Sequence, residues 1–334
     1  MKLSQPSVVI VGAGLMGRWH ASTLRWLNIP VRGVVDADYE RARAFGSAIG
    51  APAFRSTEAM LEQVRPDAAH VCTPLATHVG YSEQLLNAGC HVMCEKPLAA
   101  SALEVRSLLD TSRATGAALC PVHQFALQRG VREVAARIDE LGELRRISFT
   151  FCSAGGVHLK EAQLDDVILD IAPHPFSVLA RLVPAMDIAQ MRWQAVHPAP
   201  GELIAIGEFA QMCVSLTFSM SARPTEATAT ITGTKGSAYI DFFHGFSFIA
   251  QGTVSRLQKA MRPLTLATTH FATASLNLAR RGIRNERAYP GLRTLLSEFY
   301  RNIASKGGPP LPSTEILATY GARDSMAQQI LGPR

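Results

Sequence analysis

VVIVGAGLMGRWH, residues 8–20, decides the fold. Val8, Val9, Ile10 and Val11 form an unbroken β-branched run, the pattern of a strand buried on both faces. The run leads straight into Gly12, Gly14 and Gly17 and then into a helix-forming stretch. Strand, G-x-G-x-x-G and helix in that order make a dinucleotide-binding turn. The first glycine makes the bend, the second lets backbone approach a pyrophosphate, and the third lets helix and strand pack closely. The pyrophosphate then rests on the helix N-terminus, where free N–H groups point outward. A glycine loop alone is a weak motif. Here a second predicted strand, Val31–Val35, ends in Asp36, nineteen residues after Gly17, where an acid accepts hydrogen bonds from a ribose.

The same alternation continues downstream. Helices are predicted over residues 15–27, over 39–49 behind Asp38 as cap, over 78–88 with Gly89 closing it, and over 101–114. The last opens with Ser101 and Glu104 spaced as a capping box. Strands are predicted at 67–72, 91–94 and 117–122. Strands alternating with helices imply a parallel, doubly wound sheet. Near residue 122 the rhythm changes. After a helix over 127–141, strands are predicted at 144–152, 188–196, 204–209, 213–219, 226–232 and 237–243, with a hairpin turn at Thr234-Lys235-Gly236. Such a run reads as a mostly antiparallel open sheet. The expected division is a dinucleotide-binding Rossmann domain over 1–122 and an α+β substrate-binding and oligomerisation domain over 123–334.

Composition narrows the class. The chain has 334 residues, 47% of them hydrophobic and 18% charged, which fits a soluble globular protein with ample core. No uncharged apolar run reaches about 18 residues, so no membrane span is expected. The first strand starts near residue 7, leaving no room for a signal peptide ahead of it. Six cysteines are scattered without a C-x-x-C pair, which suits reduced thiols and a cytoplasmic protein. Cys90, His91 and Cys94 read as buried strand residues, and no metal site is expected. The net charge of +6 is concentrated between Gln251 and Leu292. Arg256, Lys259, Arg262, Arg280, Arg281, Arg284 and Arg287 stand there against Glu286 alone. A local patch with no aromatic ladder argues against nucleic acid; it reads as a solvated helix pair or an oligomer arm, with the rim of an anionic-substrate cleft or a membrane-surface contact as the alternatives.

In open parallel sheets, ligands bind beyond the carboxyl ends of the strands. Two such ends carry suggestive residues: Thr73, Pro74 and His78 after Cys72, and Glu95, Lys96 and Pro97 after Cys94. An amine at Lys96, beside a nicotinamide, suits proton transfer. Further on, Asp170 and His174 are four apart, a spacing that puts both on one face of a helix. Pro173 and Pro175 mark a helix entrance. A carboxylate beside an imidazole fixes its tautomer and raises its basicity, although a capping Asp and a packed His are the commoner outcome.

The order GAGLMG, Asp36, TPLATH, EKP, D-x-x-x-H and TGTKG resembles the Gfo/Idh/MocA oxidoreductases across nearly the whole chain. The resemblance implies a Rossmann domain followed by an α/β domain whose large open sheet makes a homo-oligomer, dimer or tetramer. It implies that Gly12, Gly14, Leu15, Met16 and Gly17 hold the pyrophosphate and Asp36 the adenosine ribose. Thr73, Pro74 and His78 would line the cofactor cleft, and Glu95 would touch the nicotinamide end. Lys96 and His174 would meet the substrate hydroxyl, with Asp170 supporting His174 and Gln124 also on the substrate. A cis peptide at Lys96–Pro97 follows from the same likeness. The implied activity is hydride transfer between a nicotinamide and a carbinol or ketone carbon of a sugar, cyclitol or sugar derivative. NAD is preferred over NADP, because an acid at Asp36 repels a 2′-phosphate. Arg41 and Arg43 stand close enough in sequence to oppose that preference. Two other readings compete: a non-catalytic dinucleotide sensor, and a reductase of a less polar imine or enone. The bulky residues and prolines around Asp170 and His174 depart from the glycines usual in the family.

Overall fold

A computed structural model describes residues 6–252, 255–286 and 288–331. The chain forms two compact units, one of residues 1–122 with 292–317, the other of residues 123–291 with 318–334.

The first unit is built on a six-stranded parallel sheet. Its strands are β1 (Val8–Val11), β2 (Val31–Val35), β3 (Ala53–Phe54), β4 (Ala68–Val71), β5 (His91–Cys94) and β6 (Leu119–Pro121), in spatial order β3-β2-β1-β4-β5-β6. Strand order reverses between β1 and β4, so their carboxyl ends frame the crevice in which such sheets bind ligands. The intervening helices are α1 (Leu15–Trp26), α2 (Tyr39–Ile49), α3 (Thr57–Gln63), α4 (His78–Asn87) and α5 (Ala102–Thr115). Asp38 accepts from the Arg41 N–H at 3.1 Å and so caps α2. The Ser101–Glu104 capping box opens α5. The sequence expectation lacked β3 and α3, which are two and seven residues long, too short to carry a clear period.

The second unit is built on a seven-stranded sheet. After α6 (Arg129–Ala136) come β7 (Leu144–Cys152), α7 (Leu164–Ile171), α8 (Pro173–Leu182), β8 (Arg192–Ala199), β9 (Glu202–Phe209), β10 (Met212–Ser219), β11 (Glu226–Gly233), β12 (Gly236–Asp241), β13 (Phe246–Gln251) and the long α9 (Arg256–Ile283). The spatial order is β13-β12-β11-β7-β10-β9-β8, with β7 and β10 the one parallel pair. One face is core: Phe149 and Phe151 of β7, Leu216 and Phe218 of β10, and Ile240 of β12 pack with Val134 of α6 and Phe176 and Leu179 of α8. On the other face Val196, Ile204 and Ile206 are exposed.

Several elements differ from expectation. The helix expected over 127–141 is cut after Ala136, and Ile138–Leu141 winds as a 3₁₀ turn ending at Gly142, φ +74°. Residues 188–190 also form a 3₁₀ turn, with the Asp187 carboxylate accepting from the Ala189 N–H, so the strand begins only at Arg192. The basic segment is one helix that stops at Ile283 with Arg284 as its cap. It does not continue as a single basic face, and Arg287 lies outside the described residues. The helix α10 (Leu292–Ala304) belongs to the first unit, and α11 (Ser313–Leu331) follows it. In α10, Leu292, Leu295, Leu296, Phe299 and Tyr300 are buried at i, i+3, i+4, i+7 and i+8, the stripe of a helix that covers a core. Arg293 of α10 lies over the Trp26 ring of α1, 4.7 Å from its centroid.

Candidate active site

The glycine loop after β1 separates its three glycines by what each backbone position demands. Gly12 has φ +107°, and a Cβ there would lie 2.4 Å from the Cys72 carbonyl oxygen. At Gly17 a Cβ would lie 2.0 Å from the Gly12 carbonyl oxygen. Gly14 is different: its φ is −74° and nothing in the protein lies within 4 Å of a Cβ placed on it. The fold itself therefore has no use for a glycine at 14, and the space beside it suits an approaching ligand. Gly14 is also the N-cap of α1, which has no capping side chain and no acid in its first turn. In the same unit α2, α3 and α5 are each capped by a side chain, whereas α4, like α1, is not. An uncapped helix N-terminus of this kind fits a pyrophosphate. Leu15, 65% exposed, and the half-buried Met16 stand beside it.

Asp36 follows β2 and is buried. Its carboxylate accepts from the Ala13 N–H at 2.8 Å and the Asp38 N–H at 2.9 Å. Arg41 clamps it with both Nε, 3.1 Å, and Nη2, 2.7 Å. Burial pushes the carboxyl up, but the guanidinium and the two N–H groups together outweigh it and hold Asp36 below the usual range. The acid is thus fixed and ionised beside the glycine loop, as a ribose-binding group requires. Arg43 pairs instead with Glu40.

The ends of β4 and β5 carry the other expected residues. Thr77 donates to the Thr73 hydroxyl at 2.8 Å, beside the exposed Pro74. His78 is buried, with Nδ1 2.7 Å from the Pro97 carbonyl and Nε2 2.7 Å from the Thr73 carbonyl. Its ring therefore ties the two strand-end loops together and presents neither nitrogen to a ligand. Glu95 is buried and accepts from the Lys96 N–H at 3.2 Å. Lys96 is half-buried, and Lys96–Pro97 is cis, as the family likeness implies.

Gln124, Asp170 and His174 lie in the second unit. Asp170 and His174 do not share one helix: Asp170 is near the end of α7 and His174 near the start of α8. Pro173 and Pro175 have no N–H for the Leu169 and Ile171 carbonyls, so the ladder is interrupted around Ala172. His174 is buried, its ring stacked on Phe125 with centroids 4.2 Å apart. Phe125 stacks in turn on Phe242, 5.1 Å away. Gln124, next to Phe125, is 6% exposed, and its Oε1 has no hydrogen-bond partner among the described residues. A buried amide oxygen left unpaired is costly, and a substrate hydroxyl would satisfy it.

Sequence reading missed three buried groups in the first unit: His20, His70 and Tyr300. His20 stands three residues after Gly17 and His70 interrupts an otherwise apolar strand, which is the one signal the sequence offers. Among the described residues no cluster of metal ligands occurs and no helix is long and apolar enough to cross a membrane.

Residues 7–123 match the model of the Gfo/Idh/MocA oxidoreductase family, NAD-binding Rossmann fold. The chain is 29% identical over 198 residues to a dTDP-3,4-didehydro-2,6-dideoxy-alpha-D-glucose 3-reductase of Streptomyces violaceoruber, covering 50% of this chain and 58% of that one. It is 37% identical over 149 residues to the D-glucoside 3-dehydrogenase of Escherichia coli K12, covering 43% of this chain and 42% of that one. The aligned region thus spans about half the length of these curated relatives. The fold resembles that of KijD10, a 3-ketoreductase from Actinomadura kijaniata solved with NADP and TDP-benzene, with TM-score 0.75, 18% identity and 98% of both chains covered.

Proposed function

We propose that this chain, which belongs through residues 7–123 to the Gfo/Idh/MocA oxidoreductases with their NAD-binding Rossmann fold, transfers a hydride between NAD and a carbinol or ketone carbon of a sugar, cyclitol or sugar-derived substrate. The observation that carries this is the empty side of Gly14 at the uncapped start of α1, with ionised Asp36 beside the loop. Gly12, Gly14, Leu15, Met16 and Gly17 would hold the pyrophosphate, and Asp36 the ribose. Thr73 and Pro74 would flank the cofactor, with His78 shaping their loop and Glu95 facing the nicotinamide end.

When bound, the nicotinamide supplies the acceptor or donor of the hydride. Lys96 is assigned to the carbinol oxygen, where it takes the hydroxyl proton as carbon loses its hydride and returns it in reduction. His174 is assigned to substrate binding and proton transfer in the second unit, oriented by Asp170, and Gln124 to a substrate hydroxyl through its unpaired oxygen. The names of the relatives place their chemistry at ring carbon 3, so a pyranoside or nucleotide sugar reacting at that carbon is the substrate proposed. NAD is assigned over NADP, since the Asp36 carboxylate repels a 2′-phosphate. Six free thiols suit a cytoplasmic site of action.

A panel of glucosides, polyols and nucleotide sugars with NAD⁺ or NADP⁺, followed at the absorbance of the reduced cofactor, tests this. Turnover of a 3-hydroxyl with NAD⁺ is expected. Tight NAD⁺ binding without turnover of any of them would favour a sensor.

A further inference from the structure

Four side chains form a buried hydrogen-bonded line through the first unit. The Tyr300 hydroxyl of α10 lies 2.6 Å from His70 Nε2. His70 Nδ1 lies 2.5 Å from His20 Nδ1. His20 Nε2 lies 3.0 Å from Glu95 Oε1. The two histidines are 0% exposed, and Glu95 and Tyr300 are each 7% exposed. None of His20, His70 and Tyr300 has a part in the reaction assigned above.

The proton positions follow from the geometry. Between the facing Nδ1 atoms there is room for one hydrogen only, so one ring donates and the other accepts. With Glu95 ionised, His20 donates to it through Nε2–H. If His20 is neutral, its Nδ1 is a lone pair, His70 must donate through Nδ1–H, and Tyr300 must donate to His70 Nε2. Every donor then points toward Glu95, and the line carries one negative charge. One added proton goes to His20 Nδ1. His20 becomes an imidazolium paired with Glu95, and His70, still neutral, must shift its hydrogen from Nδ1 to Nε2 and donate to the Tyr300 oxygen. Every donor beyond His20 then points toward Tyr300, and the line carries no net charge. A second proton on His70 is opposed by burial and by His20. The neighbouring titratable groups do not compete. Burial pushes the Cys72 and Cys94 thiols far up, with Glu95 adding to it. Burial, with Asp67 and Cys72, likewise keeps Tyr300 protonated. Asp67 accepts from the Ser7 N–H at 2.7 Å. Lys96 adjoins Glu95 in sequence and donates its backbone N–H to it at 3.2 Å.

We propose that Glu95, His20, His70 and Tyr300 form a one-proton relay whose occupancy is coupled to the charge of the nicotinamide ring. This rests on the cofactor reading above, which puts Glu95 at the nicotinamide end. The oxidised ring is cationic and favours the line with its negative charge. The reduced ring is neutral and favours the line with its added proton. His20, His70 and Tyr300 are positioning residues that act through Glu95.

Two measurements test the relay. In the protein without cofactor, long-range ¹H–¹⁵N spectra of the imidazoles report tautomers directly. At neutral pH His20 is expected as the Nε2–H form and His70 as the Nδ1–H form. On acidification His70 is expected to change tautomer without gaining charge as His20 becomes doubly protonated. Two rings that titrate independently, or a His70 that stays Nδ1–H, would overturn the relay. In the second measurement, the Kd values of NAD⁺ and NADH are taken by calorimetry from about pH 5 to 9. The preference for NADH over NAD⁺ is expected to grow as pH falls through the relay's titration, by up to about tenfold per pH unit. It should be flat in His20→Gln. Tyr300→Phe, the milder variant, should keep the slope and move the midpoint down, since the protonated line then leaves a buried His70 N–H unpaired. A flat ratio in the native protein, or a slope unchanged in His20→Gln, would overturn the coupling. Failure of both dinucleotides to bind would overturn the cofactor reading and with it the coupling, while the tautomers would still decide whether the relay exists.

Discussion

Gly14 and Gly17 sit three residues apart, yet alanine should act on them in opposite ways. Gly14→Ala meets no protein atom, so urea melts should move by less than about 0.5 kcal/mol. NAD⁺ should bind more weakly, by at least about tenfold, or 1.4 kcal/mol. Gly17→Ala forces a Cβ to 2.0 Å from the Gly12 carbonyl oxygen. It should destabilise the protein by about 1–3 kcal/mol or more before any ligand is added. Asp36 gives a pH signature. Its native pKa is depressed by Arg41 and two N–H groups acting against burial, so its ionised form stabilises the fold above the unfolded pKa of about 3.9. The stability difference between the native protein and Asp36→Asn should be full at neutral pH and shrink as pH falls through the depressed native value. Equal or tighter binding of NADP(H) than NAD(H) would instead show Arg41 governing the ribose. In turnover, Lys96→Met and His174→Ala should each lower kcat by about 10²–10⁴-fold. His174→Ala should leave NAD⁺ binding nearly unchanged, and Asp170→Asn should be milder than His174→Ala.

At the level of elements, α10 invites the sharpest test. Leu296 is 0% exposed in its stripe, so Leu296→Ala should cost about 2–5 kcal/mol in denaturant melts. Ser101→Ala, which removes only the α5 capping box, should cost about 1 kcal/mol. The sequence spoke clearly where local pattern and tertiary need coincide. Val8–Val11, Val31–Val35 and His91–Cys94 are short runs rich in valine and other strand-forming residues, and the structure forms strands over those same residues. The stripe in α10 is just as regular, but its ownership by the first unit depends on which core it covers, and no periodicity states that. The break between α7 and α8 turns on two missing N–H groups whose effect depends on a helix already running ahead of them. The line from Glu95 to Tyr300 was illegible for a different reason: its partners are up to 230 residues apart, and only the folded chain brings them within bonding distance.

For the molecule as a whole, the second sheet exposes Val196, Ile204 and Ile206 at 63%, 46% and 44%, and we propose this face as a surface for self-association. Apolar groups gathered on an open sheet face commonly mark an interface. Ile204→Glu with Ile206→Glu should therefore lower the sedimenting mass. Along α9, Phe271, Leu276 and Leu278 are more than 70% exposed within a basic helix. Arg280→Gln with Arg284→Gln separates its two assignments: a changed mass marks an oligomer arm, and a raised KM at unchanged mass marks the rim of an anionic-substrate site. The return of residues 292–317 to the first unit has a consequence for how the protein is made. The ribosome finishes the parallel sheet roughly 170 residues before it begins α10. At about 5–20 residues per second, the nascent Rossmann unit waits on the order of ten seconds or more without its closing helix. During that interval the core under Leu295, Leu296 and Phe299 is bare and His70 lacks its tyrosine. Vectorial folding of this unit is therefore interrupted until α10 has been made, and the emerging half-domain is the species a chaperone would meet.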